Sequence, residues 1–371
     1  MALVPPNIKS LVPYKAGRPI EEVAREFGLS RVVKLASNEN PWGPSPLAVE
    51  AARESLSNVH RYPDPASHDL RAELVKRFGV HTGNVITGNG SESIMAAIMR
   101  TFLLASDEIL SAENTFIGFR VLATASGRSM RWIPMKDRRY DLAAMGEAIN
   151  EYTKVVYIAN PDNPTGSYVT ADELDAFMAK VPSRVLVILD EAYFEFAHGR
   201  PNYPDSMHYR YDNVITLRTF SKAHGLAGLR VGYGFAHEEL IENLSKVRLP
   251  FEPSSPAQAA ALAALRDESH LSKTVENNQV GMQVLREGLN RLGIPTLPSA
   301  ANFLSMDLKD TRRAEQVNDT LLRQGIIVRH LASFGWPTMI RITVGLPEEN
   351  ELFLTTLAST CSPYLAGMAG G

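Results

Sequence analysis

Several features that would place this chain in a specialised class are scarce or missing from its sequence. Cysteine occurs once in 371 residues, at Cys361, which excludes an internal disulfide and a cluster of thiolate metal ligands. Acidic residues only just outnumber basic ones, 41 to 38, which argues against a broadly basic nucleic-acid surface. No apolar run approaches the ~20 residues that a membrane helix needs. The remaining composition, 44% hydrophobic and 21% charged, is that of an ordinary globular protein.

The N-terminal segment also lacks the pattern of a secretory signal. Pro5 and Pro6 stand where such a signal needs its apolar core. Because the chain also has no cysteine pair, we expect a soluble protein of a reducing compartment, the cytoplasm. The length predicts about two to three domains, with a core large enough to need no disulfide or metal.

Alternating apolar and helical patterns predict an α/β fold with a mostly parallel central sheet flanked by helices. Short, continuously apolar runs separated by helical segments are typical of parallel strands that are buried on both faces. Three such runs cover residues 155–159, 185–189 and 214–217. Such a sheet carries its chemistry in the loops at the carboxyl ends of its strands.

The pattern changes near both ends of this unit, which suggests three parts. A proline-rich N-terminal arm is expected over residues 1–43, with contacts to the small domain and to a second subunit. The large domain is expected over 44–255. Strands that follow helices predict a smaller α+β domain over 256–371, in which residues 325–329 are expected to form one strand.

The loop after the first predicted strand has the features of a phosphate site. Gly88, Gly90 and Ser91 follow this strand and open a helix, and the free N–H groups at a helix start favour an anion. Ser93 stands where a dinucleotide fingerprint has its third glycine, so a dinucleotide site is not expected. A tight strand–helix turn would need the same residues, and the sequence alone leaves both interpretations open.

Three further loops carry groups that could bind a ligand or react. Asn163 lies in a rigid turn between prolines, and Asp190 ends a run of apolar residues, where a carboxylate is costly unless it meets a cation. Lys222 follows Ser221 after another apolar run, a position suited to imine chemistry, and the fork of Arg230 suits phosphate. A purely structural interpretation is also open for three of these residues. Asn163 could simply belong to a turn, Asp190 could begin a loop, and Lys222 could be a surface lysine. Together they match the groups that a pyridoxal phosphate site needs.

In this order and spacing, the motifs resemble those of the fold-type I pyridoxal-phosphate aminotransferases of class I/II. They are most similar to the histidinol-phosphate aminotransferase family. The motifs lie at residues 36–41, 61–64, 162–166, 190–193 and 219–223, and the resemblance extends from residue 11 to residue 345. It implies an aspartate-aminotransferase-like fold and a homodimer with shared active sites. It also implies amino transfer between L-histidinol phosphate and 2-oxoglutarate in histidine biosynthesis, with pyridoxal 5'-phosphate as cofactor.

The resemblance also implies a role for each residue of the site. Lys222 would hold the cofactor through an imine and move protons, and Asp190 would keep the ring nitrogen protonated. Asn163 and Tyr193 would hydrogen-bond the phenolic oxygen of the ring. The other residues would stack on the ring (Phe116, where tyrosine is common), hold the phosphate (Ser91, Glu92 through its backbone, Ser221, Arg230, and Tyr62 from the neighbouring subunit) or bind the substrate (Tyr14, Asn38, Arg329, Arg341).

Three other functions remain open at this point. An aromatic amino-acid aminotransferase would use Arg341 for a carboxylate and would need an apolar pocket, for which Phe116, Phe119, Phe334 and Trp336 are candidates. A decarboxylase acting on a phosphorylated amino acid shares the same motifs. A cofactor-binding transcription regulator would carry a helix-turn-helix domain before the arm, and the sequence has no such pattern there.

Overall fold

The computed structural model describes residues 3–12, 17–208 and 212–365, and its strands form three sheets. In chain order the strands are β1 (Val33–Lys34), β2 (Val85–Gly88), β3 (Glu108–Ala112), β4 (Ser129–Ile133), β5 (Thr153–Ala159), β6 (Leu186–Asp190), β7 (Val214–Thr219), β8 (Gly232–Ala236), β9 (Phe303–Asp307), β10 (Ile326–Ile327), β11 (Arg329–His330) and β12 (Met339–Thr343).

Helices of very different length connect and cover these strands. They are α1 (Pro6–Lys9), α2 (Ile20–Phe27), α3 (Pro46–Ser55), α4 (His68–Phe78), α5 (Ser91–Phe102), α6 (Ile117–Ala125), α7 (Leu142–Ala148), α8 (Ala171–Met178), α9 (Phe194–Ala197), α10 (Glu238–Val247), α11 (Ser255–Arg266), α12 (Glu268–Arg291), α13 (Thr311–Arg323), α14 (Pro347–Thr360) and α15 (Ser362–Leu365). Within the described ranges, no helix combines the length and the apolar character that crossing a membrane requires.

The seven-stranded sheet has the order β2-β8-β7-β6-β5-β3-β4. Strands β7, β6, β5, β3 and β4 run parallel to one another, and β8 lies antiparallel between β2 and β7. The predicted α/β fold with a mostly parallel sheet is therefore confirmed.

The strands are continuously apolar because both faces of this sheet are covered. In β6, Leu186 and Ile188 belong to one buried cluster, and the alternating Val187 and Leu189 belong to another on the opposite face. Since side chains alternate between the faces of a strand, a strand covered on both sides needs apolar residues at every position. Asp190, the last residue of β6, is the exception, and it lies at the carboxyl edge of the sheet.

Two smaller sheets belong to the C-terminal part and to the arm. Strands β11, β12 and β9 form an antiparallel sheet, and β1 of the arm pairs in parallel with β10. The prediction of one strand over 325–329 is wrong: residues 326–327 pair with the arm, and residues 329–330 pair with β12. The chain changes sheets at Val328 because the arm supplies a partner for only two residues. The arm thereby becomes part of the C-terminal unit, which includes a third buried core around β9, β12 and α14.

Candidate active site

Nine of the ten residues predicted to bind a cofactor line one cavity at the carboxyl edge of the large sheet. Parallel strands bring their carboxyl ends to a common edge, so loops far apart in sequence meet there. The nine are Ser91, Glu92, Phe116, Asn163, Asp190, Tyr193, Ser221, Lys222 and Arg230. Their roles toward a cofactor stay predictions.

One end of this cavity, which we call the anion seat, contains groups that can bind an anion. Helix α5 begins here after Gly90, and no side chain caps its first N–H groups, which leaves them able to bind a negative charge. Gly90 has φ +77°, and a Cβ at this position would lie 2.7 Å from Nη2 of Arg230. Nη1 of Arg230 donates to Oγ of Ser221 at 3.2 Å. The glycine therefore leaves room for the guanidinium beside the helix start.

Asp190 projects into the cavity from the end of β6 and is almost fully buried. Its Oδ2 accepts a hydrogen bond from the hydroxyl of Tyr157 at 2.7 Å, and its Oδ1 has no hydrogen-bond partner among the described residues. Burial raises the pKa of Asp190 to about 6, while the bond from Tyr157 works in the opposite direction. A buried oxygen without a partner at a cavity wall suits a ligand that brings a positive charge.

Lys222 enters the cavity three residues after the end of β7. Its Nζ donates to the carbonyl oxygen of Ser37 at 3.2 Å and lies 6.0 Å from the centre of the Tyr193 ring. Burial, and next the positive charge of Arg341, lower the pKa of Lys222 to about 8. A substantial share of this amine is therefore neutral near pH 8, the form that attacks a carbonyl carbon.

Asn38 connects the arm and the C-terminal sheet to Tyr193, which lines the cavity. Its Nδ2 donates to the hydroxyl of Tyr193 at 2.7 Å, and its Oδ1 accepts from the hydroxyl of Thr343 in β12 at 3.1 Å. Asn302 in turn donates to the backbone oxygen of Asn38 at 3.1 Å. Asn38 thus joins the predicted cofactor contact Tyr193 to the sheet that carries the predicted substrate residues.

Arg329 and Arg341 lie on neighbouring strands of that sheet. They face each other in the antiparallel register of β11 and β12, so their side chains leave the same face. Arg341 is buried, contacts Oδ1 of Asn163, and donates to the backbone oxygen of Ala36 at 2.8 Å. The guanidinium carbons of Arg329 and Arg341 lie 5.8 and 6.0 Å from the ring of Phe334.

Four of the predicted site residues within the described ranges do not line the cavity: Asn38, Tyr62, Arg329 and Arg341. Asn38 and Arg341 contact lining residues, Tyr193 and Asn163 respectively. Tyr62 is 79% exposed and stacks on Phe251 with ring centres 4.2 Å apart, away from the cavity of its own chain. Tyr14 lies outside the described residues. The sequence also gave no indication that Tyr157 belongs to the site, because this tyrosine lies within an apolar run that forms a buried strand. Its proximity to Asp190 follows from the register of β5 against β6, which pairs Ala159 with Asp190.

The lining of the cavity fits a flat, ring-shaped cofactor that carries an anionic group. The side chain of Phe116 supplies an aromatic face, the start of α5 with Arg230 supplies the anion seat, and the partnerless oxygen of Asp190 can meet a positive ring atom. A lysine with a depressed pKa lies between them. The fold and this cavity together are those of a transaminase.

Comparison with known proteins agrees with this class. The sequence profile of the family described as aminotransferase class I and II matches residues 30–357. The histidinol-phosphate aminotransferase of Anaeromyxobacter sp. is 45% identical over 360 residues, which cover 96% of this chain and 98% of that protein. The corresponding enzyme of Halalkalibacterium halodurans is 43% identical, with 98% of both chains covered.

A solved structure extends the similarity to three dimensions. The histidinol-phosphate aminotransferase of Sinorhizobium meliloti, in complex with pyridoxal-5'-phosphate, has a TM-score of 0.90 and 30% sequence identity, and 98% of each chain is covered. The chain belongs to the class I and II aminotransferase family. The family resemblance and the fold expected from the motifs are thereby confirmed.

Proposed function

We propose that this protein is a pyridoxal-phosphate-dependent histidinol-phosphate aminotransferase of histidine biosynthesis. It would convert L-histidinol phosphate and 2-oxoglutarate into imidazole acetol phosphate and L-glutamate. The observation that carries the substrate assignment is the pair Arg329 and Arg341, which face each other across β11 and β12. The names of the relatives that cover nearly the whole chain support the same substrate.

The arginine pair favours a doubly charged anion over a singly charged one. Two positive guanidinium groups on the same sheet face attract a doubly charged anion more strongly than a singly charged one. A phosphate group near neutral pH carries a charge of about −1.5 to −2 and can accept hydrogen bonds from both guanidinium groups. An aromatic amino acid, the donor in the alternative reaction, presents a single negative carboxylate instead. The pair is therefore better matched to a phosphorylated amine.

Each side chain of the cavity has a separate role in the proposed amino transfer. Bound pyridoxal phosphate supplies an electron sink for the charge that develops when the substrate carbon loses its proton. The amine of Lys222 would take that proton from the substrate carbon and deliver it to the cofactor, acting first as base and then as acid. Asp190 places a negative charge beside the ring nitrogen, and Arg230 with the start of α5 holds the phosphate. Asn163 and Tyr193 orient the phenolic oxygen.

The alternative of an aromatic amino-acid aminotransferase has weaker support in the arrangement of its candidate residues. Phe116 lines the cavity and Phe334 lies beside both arginines. Phe119, however, is fully buried and stacks on Tyr157 with ring centres 3.8 Å apart, so it belongs to the core. Trp336 packs against the buried cluster that contains Phe334 and does not line the cavity. Only part of the expected apolar pocket is therefore available.

The proposal includes a homodimer in the cytoplasm, with three parts to each chain. Tyr62 would reach the cofactor phosphate of the partner, and its 79% exposure and its stack on Phe251 support this role. Exposed apolar side chains near this stack are suited to a subunit contact; they are Leu56, Val59 and Leu249. The division into an arm (1–43), a large domain (44–255) and a small domain (256–371) stays a prediction.

Steady-state turnover tests the proposed reaction. Purified protein with added pyridoxal phosphate is given L-histidinol phosphate and 2-oxoglutarate, and L-glutamate is measured. We expect glutamate to form with the unchanged protein and not with Lys222→Ala, because the methyl group of an alanine cannot carry protons. Lys273→Ala, which changes a lysine near Trp42 outside the cavity, is the matched control and should keep full activity. Glutamate formation at the normal rate by Lys222→Ala, or none by the unchanged protein, would contradict the proposal.

A further inference from the structure

The side chain that contacts Asp190 most directly is a tyrosine inside the sheet. Tyr157 lies on β5, parallel to β6, and has no exposed surface. The register pairs Ala159 with Asp190, so Tyr157 and Asp190 lie on the same face of the sheet. The hydroxyl of Tyr157 reaches Oδ2 of Asp190 at 2.7 Å, and its ring forms part of the cavity wall.

The ring of Tyr157 is held by a second aromatic side chain. Phe119 on α6 stacks on it with ring centres 3.8 Å apart and planes at 8°. Phe116, which lines the cavity, immediately precedes the same helix. Two buried, stacked rings have little freedom to rotate, so the hydroxyl of Tyr157 has a fixed direction.

This fixed hydroxyl acts as a permanent donor to the carboxylate. Burial, and next the charge of Asp190, raise the pKa of Tyr157 well above its ordinary range, so the phenol keeps its proton throughout the working pH range. A hydrogen bond to the charged form of an acid favours that form. Because the bond occupies Oδ2, the oxygen without a described partner is Oδ1.

On the basis of the proposed function, we propose that Tyr157 is a positioning residue for the cofactor's ring nitrogen. Its hydroxyl holds Oδ2 of Asp190, directs Oδ1 at the ring, and keeps the shared proton on the nitrogen instead of on the carboxyl group. Loss of the hydroxyl shifts that proton toward Asp190 and weakens the charge pair that binds the ring. Tyr157 touches neither the reacting carbon nor its proton.

The test replaces Tyr157 by phenylalanine, which removes one oxygen and keeps the stack on Phe119. Protein is loaded with pyridoxal phosphate labelled with ¹⁵N in the ring, and the ring-nitrogen NMR shift and the cofactor dissociation constant are measured. We expect the shift to move toward that of an unprotonated pyridine and the dissociation constant to rise about tenfold. A purely structural role would leave the nitrogen shift unchanged.

Two further variants make the result specific. Tyr140→Phe removes another buried hydroxyl, which pairs with Thr115 and the amide of Ala159, and it should leave the nitrogen shift unchanged. In an Asp190→Asn background, Tyr157→Phe should have no further effect on the shift, because its action passes through the carboxylate. Unchanged labelled spectra in Tyr157→Phe, or an undiminished effect in the Asp190→Asn background, would overturn this role and leave the proposed function intact. Failure of the unchanged protein to bind the cofactor would overturn both.

Discussion

At the scale of single residues, burial sets the chemistry of the cavity more than direct contacts between charges do. It raises the pKa of Asp190 and lowers that of Lys222, the direction that disfavours the charged form of each group. The buried carboxylate would be stabilised by a ligand with a positively charged ring. The neutral amine could react with a carbonyl carbon of the same ligand. Each shift can be measured on protein free of cofactor.

The lowered pKa of Lys222 predicts how cofactor capture depends on pH. Only the neutral amine attacks an aldehyde, so the rate at which cofactor-free protein captures pyridoxal phosphate should rise with pH and level off above about 8. Stopped-flow absorbance over pH 6 to 10 checks this, at roughly one reading per half unit. Arg341→Gln should move the midpoint upward, because it removes a positive charge near the amine. A midpoint close to the ordinary lysine value of 10.5 in the unchanged protein would contradict the prediction.

The raised pKa of Asp190 predicts that this residue costs stability in the cofactor-free protein. The folded state holds the proton more tightly than the unfolded chain, whose aspartates titrate near 3.8, so stability contributed at this site falls as pH rises from about 4 to about 6. Asp190→Asn cannot ionise and should therefore be more stable than the unchanged protein by about 2 kcal/mol at pH 8, with little difference at pH 4.

Urea unfolding of the two cofactor-free proteins at both pH values measures this difference. Asp267→Asn provides the opposite case, because a hydrogen bond from Ser45 lowers the pKa of Asp267. Its charge is favourable in the folded state, so this variant should lose stability at pH 8. If Asp190→Asn is also destabilised at pH 8, burial of the Asp190 carboxylate is not the cost inferred here.

Single residues of the site differ in how far the sequence could predict them. Asp190 ends an apolar run and Lys222 follows another, and these positions indicated both residues in the sequence. Arg230 was indicated by its place in the glycine-containing segment after Lys222. Tyr157 could not be found this way, because a tyrosine within an apolar run is usually core, and its contact depends on the register of β5 against β6. Nor could the sequence show that Phe119 lies in the core with Tyr157 while Phe116, three residues earlier, faces the cavity.

At the scale of secondary-structure elements, the start of α5 and the turn of Arg230 form one unit. Helix α5 begins at Ser91, where the sequence predicts a helix start, and its first residues line the cavity. Gly90 with positive φ makes this possible. The anion seat therefore depends on one backbone conformation as well as on charge.

Gly90→Ala tests this dependence. The substitution forces a side chain into a left-handed conformation and places Cβ 2.7 Å from Nη2 of Arg230. We expect a loss of about 1–2 kcal/mol in stability and cofactor affinity reduced at least about tenfold, measured by fluorescence titration. Gly228→Ala is the matched control, since no atom lies within 4 Å of a Cβ there, and it should bind cofactor normally. Equal affinities for the two variants would show that the seat does not need the glycine.

Strands long enough to show their own burial pattern were predictable from the sequence. Short strands that pair with a segment distant in sequence were not. Strands β5, β6 and β7 show their burial in their own sequences. The two-residue strands β1 and β10 pair across nearly the whole chain, and two residues carry too little pattern to predict a strand. For this reason residues 325–329 were wrongly predicted as one strand.

At the scale of the whole molecule, the site is assembled from parts that are distant in sequence. Asn38 links the arm to Tyr193, in the loop after β6, and to Thr343 of the C-terminal sheet. Arg341 reaches both Asn163 and the backbone of Ala36. The fold class and the order of the motifs were predictable from the sequence, but these connections were not, because they depend on how the sheets are placed against each other.

The exposed apolar surface around Tyr62 and Phe251 predicts a dimer. The unchanged protein should sediment at twice the 40.8 kDa of one chain. Leu249→Asp puts a charge on this surface, where Leu249 is 59% exposed, and should shift the protein toward monomers with weaker cofactor binding, because Tyr62 of the partner is then lost. Leu104→Asp changes an exposed leucine elsewhere on the molecule and should remain dimeric. Sedimentation of the unchanged protein as a monomer would contradict the shared site.

The most direct test of the central claim is a single half-reaction followed by absorbance. Protein loaded with pyridoxal phosphate is mixed separately with L-histidinol phosphate and with L-phenylalanine, without any amino acceptor, and the spectral change of the bound cofactor is timed. The facing arginines predict fast conversion by histidinol phosphate and slow or no conversion by phenylalanine. Faster conversion by phenylalanine would contradict the assigned substrate and would mean that Arg341 binds a carboxylate.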